Sequence, residues 1–359
     1  EWRSQFPAMG VMLLLPEHEK HRLPELQAAA RAENVPLVGA MFPALVTDQG
    51  FVSHGAWVLR FDEMPPWFLV ADLEADPSSV ARRVENELQN AMPAVSQASS
   101  KPTLFLVFDG MVPNVASILN AIEVRLHGRV KYAGVNAGSE TFQPMPCLFD
   151  QSRVVGHGVL GLLLPASTRT AVRHGYPVSR SEFRATSAEG NRIDLINGRP
   201  AFEVYQEIIK AEYGVDLTHE NFYDLAVHFP FGVIAALDVL VRIPVAFTDD
   251  GALFCVGEVP AYSMLRLLRA PSLDESSCVA DVVAALDGDQ SSVRPLLAFY
   301  CAGRRMHFGE AAGTELVQLH QRVAGAGMCG ALSLGEIDTM EELGLPRFHN
   351  ACVVCLRGG

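Results

Sequence analysis

The chain is short of positive charge. Its 28 Lys and Arg stand against 41 Asp and Glu, a formal net charge of −13 over 359 residues. No Lys/Arg-rich run interrupts that balance. Non-specific binding to nucleic acid or to an anionic membrane therefore has no electrostatic basis, since both demand a basic surface. Long hydrophobic runs are also missing. Residues 159–164 and 231–241 are the longest apolar stretches, both too short to span a bilayer, and Asp238 interrupts the second. No charged-then-apolar leader opens the chain, although a start without Met leaves a processed or truncated end open. No repeat of short period is evident, and C-x-x-C spacing occurs once, with no second copy to complete a metal knuckle.

What the chain does contain is core. Residues of the apolar classes make up 49% and charged residues 19%, which excludes wholesale disorder and allows two ordinary domains or one bilobed one. Seven cysteines, odd in number and scattered, fit reduced and mostly buried thiols of a cytosolic protein.

Strand and helix signals alternate, so the expected class is mixed α/β (α+β): two mixed-sheet lobes with helices packed on the sheets and a pocket between or within them. Residues 11–15 and 36–39 read as buried strands flanking a helix at 23–31. A β-rich run at 103–108, helical spacing of Val115, Ile118, Leu119, Ile122 and Leu126, and a strand at 130–134 make a β-α-β crossover. Residues 181–187 and 192–196 form a hairpin. Pro200 starts a helix that Gly214 stops. A second hairpin turns at 249–251, a helix covers 314–323, and 351–356 is a last apolar strand. Polar loops are expected at 93–102 and 287–292. A soft boundary near 165–175 divides an N-terminal lobe, 1–170, from a C-terminal lobe, 171–359.

Several motifs suggest chemistry, each with a plainer alternative. Gly156 to Gly161 matches G-x-G-x-x-G, but a dinucleotide site needs a helix next, and Pro165 forbids one; the segment reads as a continuous strand. Ser333 lies one substitution from a nucleophile elbow, which keeps a serine hydrolase as an alternative, although no helix signal follows it. Cys352 and Cys355 flank two valines, which favour extended chain and buried thiols over a metal knuckle. His54, His157 and His174 each adjoin glycine, which leaves room for a planar cofactor; the alternative is a hydrogen-bonded core or surface histidine. Arg304 and Arg305 could clamp a carboxylate or end a solvated element. Glu336, set among Gly330, Ser333 and Gly335, is either a ligand hook or a capping group.

Five blocks carry a family resemblance. They are residues 35–43; 108–110 with 132–139; 186–205; 301–305; and 330–337 with 347–350. In that order they resemble the FIST sensory domains, an N-terminal and a C-terminal half found in prokaryotic signal transduction. The resemblance implies a non-enzymatic, cytoplasmic small-ligand sensor. The Gly39-to-Pro43 block is similar to that of a haem-binding, nitric-oxide-sensing branch. That implies haem as cofactor, with His174 as axial ligand and His157 as runner-up. The output would then pass to a separate histidine kinase or cyclic-di-GMP enzyme, since the chain carries no recognisable kinase, cyclase or receiver segment. The alternative is a haem-free amino-acid or metabolite sensor. There Glu336 would meet a ligand ammonium and Arg304 or Arg305 its carboxylate, with Gly134, Gly138, Ser139 and Ser333 adding contacts. A homodimer is compatible with either.

Overall fold

The computed structural model describes residues 5–73, 76–89, 100–141, 143–235, 238–286, 295–323, 327–340 and 342–358. The expected loop at 287–292, and residues 93–99 of the one expected at 93–102, lie outside the described residues. The fold is α+β: the described strands form four sheets, with helices packed on them.

Three units of one design build the larger lobe. Each begins with a strand, a helix and a second, parallel strand. The first unit uses Gly10–Pro16, Leu23–Ala32 and Leu37–Phe42; the second uses Thr103–Asp109, Val115–Leu126 and Lys131–Ala137; the third uses Leu296–Cys301, Ala311–Arg322 and Met328–Ser333. The helices form where sequence periodicity supplies one apolar face. In Val115–Leu126 the five residues at i, i+3, i+4, i+7 and i+11 are all buried, and His127 ends the helix in the left-handed conformation at φ 49°.

Each unit then sends out a hairpin that pairs with a different unit. Leu45–Thr47 and Gly50–Val52 join the third unit, Leu148–Asp150 and Val154–Val155 join the first, and Glu336–Met340 with Leu345–His349 joins the second. A last strand (Trp57–Phe61, Val159–Leu164 or Val353–Arg357) returns antiparallel to the unit's first strand. The exchange is cyclic, and residues from all three units meet in one apolar core.

The three units share little sequence, but one glycine recurs. At Gly39, Gly134 and Gly330 a Cβ would lie 2.3, 2.1 and 1.6 Å from the carbonyl oxygen of Leu13, Leu106 and Ala298 on the adjacent strand. The register is also common. The residue after each glycine pairs with Leu148, Glu336 and Leu45 respectively, and these in turn pair with Val155, His349 and Val52. Glu336 and His349 therefore occupy positions that hold Leu and Val in both other units.

Between the second and third units the chain leaves at Val178, builds the smaller lobe, an eight-stranded sheet packed on helix Ala201–Tyr213, and returns at Cys278. Gly214 caps that helix at φ 68°, as its sequence position predicts. Residues Val178–Glu189 and Arg192–Ile196 form the expected hairpin, and Pro244–Phe247 with Leu253–Cys255 the second. One expectation changes. Residues 156–158 are not part of a strand: His157 turns at φ 46°, its N–H held 2.5 Å from Asp109 Oδ2, and the strand starts at Val159. No helix among the described residues is long and apolar enough to cross a membrane.

Candidate functional site

A cavity of about 1220 Å³ opens where three parts of the fold meet. One wall is strand Arg169–Arg173 and the segment after it. The second is the swapped hairpin Glu336–His349. The third is the smaller lobe, through Asp238. Alternation along the hairpin decides which side chains share a face. Glu336 and Asp338 lie on the same side as their cross-strand partners His349 and Arg347, while Ile337 and Phe348 face the opposite core.

At the inner end is a tight polar group. Asp338, buried, accepts from Arg347 Nε at 2.8 Å, from Arg347 Nη2 at 2.5 Å and from His349 Nε2 at 3.1 Å. Arg347 reaches on to Asp238. Burial alone would raise the Asp338 carboxyl, but the His349 and Arg347 partners outweigh it and pull it down to about 2. An ionised carboxylate only accepts, so His349 Nε2 carries a proton and donates it to Asp338. Its Nδ1 is buried with no hydrogen-bond partner, and Tyr176 Oη, on the opposite wall, is in the same state.

His174 lines the cavity beside this group. Burial, reinforced by the nearby His349, Arg304 and Arg347, lowers it to about 4, so the ring is neutral. Its Nδ1 accepts the Tyr176 N–H at 2.9 Å, which leaves the ring proton on Nε2.

The other sequence candidates lie elsewhere or are already occupied. Arg304 is fully buried: Nε and Nη2 hold Glu315 at 2.7 and 2.6 Å, Nη2 also meets Ser276 Oγ at 2.9 Å, and Nη1 donates to the His174 carbonyl at 2.6 Å. It has no donor left to clamp a ligand; it fixes the backbone of the cavity wall instead. Arg305 pairs with Glu140 on the surface. Glu336 is sealed, with Oε1 accepting from Ser333 Oγ at 2.6 Å and Oε2 from the Cys352 N–H at 3.3 Å, which is the capping alternative. Ser333 has no imidazole partner, and strand Glu336–Met340 follows it in place of an elbow helix. Gly134 is a packing glycine in a strand interior, Gly138 turns at φ 130°, and Ser139 bonds Thr141. His157 is exposed and outside the cavity, and His54 is exposed beside Glu19. Among the sequence candidates, His174 and Cys352 line the cavity.

Haem does not fit the residues present. An axial imidazole offers iron an unprotonated nitrogen and donates through the other. His174 has the reverse arrangement, its lone pair already used by Tyr176. The walls also carry five cationic and five carboxylate side chains, where a porphyrin face needs apolar contact. Among the described residues, no group of three or more His, Cys, Asp or Glu could hold a metal ion. All seven cysteines are free thiols, and all but Cys329 are buried.

Residues missed in the sequence are His349, Asp338, Arg347, Asp238 and Tyr176. A signal was there for the first three: in a hairpin, period-two spacing places 336, 338, 347 and 349 on one face.

The cavity lies where the two lobes meet, and two of its lining residues, His349 and Tyr176, carry buried polar atoms without a partner. The FIST N domain model matches residues 11–199 and the FIST C domain model residues 201–338. The chain belongs to the FIST family, whose domains are sensory domains for small ligands in signalling proteins. A comparison with curated proteins returned no match.

Proposed function

We propose that this protein is a sensor for a small polar metabolite, bound in the cavity against His349 and Tyr176. One observation carries the reading: His349 Nδ1, buried and unpaired, belongs to a ring locked in place by Asp338. Leaving a buried polar atom unsatisfied costs about 1–3 kcal/mol. A ligand that completes the bond recovers that cost, and the Asp338 contact fixes which ring nitrogen it meets. Binding would draw together walls contributed by the swapped hairpin, the strand Arg169–Arg173 and the smaller lobe. A ligand shifts a conformational equilibrium only through different affinity for its two states, and a site assembled from three separate parts provides that difference. Output through a separate histidine kinase or cyclic-di-GMP enzyme is part of the same proposal.

The test is a thermal-shift screen of amino acids and small organic acids and amines, since a bound ligand raises the unfolding temperature by mass action. A hit is expected, with affinity at least tenfold weaker in His349→Phe. A panel without any shift, or a hit indifferent to His349→Phe, refutes the reading.

A further inference from the structure

The outer end of the cavity holds cations that the fold leaves without partners. Leu164, Thr103 and Lys131 pair in one row across three adjacent strands, so about 10 Å separates the first from the last. Lys101 precedes Thr103 by two residues. Arg169 follows Leu164 through a turn in which the Thr168 N–H donates to the Pro165 carbonyl at 2.9 Å. Lys101, Lys131 and Arg169 line the cavity, and among the described residues none of them makes an ion pair or a hydrogen bond through its side chain. Ser167, Thr168 and Thr170 line it with them, their hydroxyls equally without a partner. Thr103 is completely buried, on the same face as its row neighbour Lys131, and its hydroxyl is unpaired as well. The cavity's carboxylates are engaged or face water. Asp338 and Asp238 hold Arg347 at the inner end, Asp281 accepts from Ser277 Oγ and Glu275 from the Ser272 N–H. Glu342, on the turn of the swapped hairpin, is exposed.

We propose that the ligand is a phosphorylated metabolite, its phosphate monoester held among Lys101, Lys131 and Arg169 and its polar body reaching His349 and Tyr176. This rests on the cavity being the ligand site. The donor set decides between anions. A phosphate monoester near neutral pH carries a charge of about −1.5 to −2 and three strong acceptor oxygens. Three cations with hydroxyls between them match that charge and that number of acceptors, whereas a carboxylate brings one charge and two oxygens. Arg169 offers a planar fork to two of the oxygens, and the lysines act as point charges. The spacing suits one small molecule. Thr339 Oγ1 accepts the N–H of Tyr132, next to Lys131, at 2.5 Å, and Asp338, next to Thr339, holds His349. The two ends are therefore two or three residues apart along a strand, about 7–10 Å, which a sugar phosphate or a mononucleotide spans.

Phosphate monoesters are the decisive members of the organic-acid panel. The probes are hexose phosphates and nucleoside monophosphates, each beside its dephosphorylated counterpart and a carboxylate of similar size, and inorganic phosphate alone. Isothermal titration gives affinities for wild type, Lys131→Ala, Arg169→Ala and His349→Phe. Lys131 and Arg169 are exposed, so their variants should unfold at the wild-type temperature. Expected is a monoester bound at least about tenfold tighter than its dephosphorylated counterpart and than the carboxylate, with the advantage shrinking in Lys131→Ala, in Arg169→Ala and as salt is raised. His349→Phe should weaken the monoester and its dephosphorylated counterpart alike. A monoester no tighter than its counterpart, or one indifferent to both Lys131→Ala and Arg169→Ala, overturns the proposal. Inorganic phosphate bound with no ester marks an adventitious ion only and overturns it too. Carboxylates or uncharged compounds that bind through His349 and ignore the two cation variants overturn it while leaving the cavity as the ligand site. Absence of binding by every probe overturns both.

Discussion

The burial of Glu336 has a direct consequence for stability. Its carboxyl is raised from the usual 4.5 to about 7, first by burial, against the opposing hydrogen bonds from Ser333, Cys301 and Cys352. Between about pH 4.5 and 7 the native state keeps a proton that the unfolded chain has lost. Stability therefore falls as pH climbs through that window and is level in this term above it. At about 1.4 kcal/mol per pH unit the loss reaches about 3 kcal/mol. The sign is opposite to that of Asp338, whose lowered carboxyl adds stability that is lost as pH falls towards 2. Comparing wild type with Glu336→Gln cancels Asp338 and every other group common to both. Urea unfolding at half-unit steps from pH 4.5 to 8 should show near-equal stability at the acid end. The variant should pull ahead by about 3 kcal/mol at pH 8. A difference that stays flat across the range would refute the claim that this carboxyl is sealed from water.

Two further perturbations probe the frame around the site. Glu315→Gln removes the partner of a buried guanidinium and should cost about 3–5 kcal/mol in urea unfolding, whereas Arg304→Met with Glu315→Leu should recover much of it; a single-variant loss under about 1 kcal/mol would contradict the pairing. Gly330→Ala would put a Cβ 1.6 Å from the Ala298 carbonyl oxygen and should cost more than about 2 kcal/mol, while Gly313→Ala, in helix Ala311–Arg322 with nothing within 4 Å, should gain about 0.5–1 kcal/mol; similar shifts for both would refute the close-approach reading.

The local elements were readable where one physical rule acts over a short stretch. The spacing of Val115 to Leu126, Pro200 at the head of a helix, and Gly214 at its end each follow from backbone geometry a few residues long. The β-α-β crossover at 103–137 was readable for the same reason. Glycine-flanked histidines pointed to His174, which the cavity includes, and to His157, which it does not. Glycine beside histidine reports local backbone freedom and carries no information on which distant wall the ring will face. Arg304 misled for a related reason. A buried ion pair and a ligand clamp use the same side chain, and only the position of Glu315, eleven residues on, separates them.

The amino-acid sequence determined the class of the fold, the family through ordered blocks of small and apolar residues, and the lack of a basic surface, because these depend on composition and short-range pattern. Tertiary structure decided the exchange of hairpins among three units, the sealing of Glu336 at a position that holds leucine in the other two, and the meeting of His349, Asp338, Arg347 and Asp238 at one cavity. These depend on which strands pair across more than a hundred residues, and that is fixed by the joint packing of a shared core.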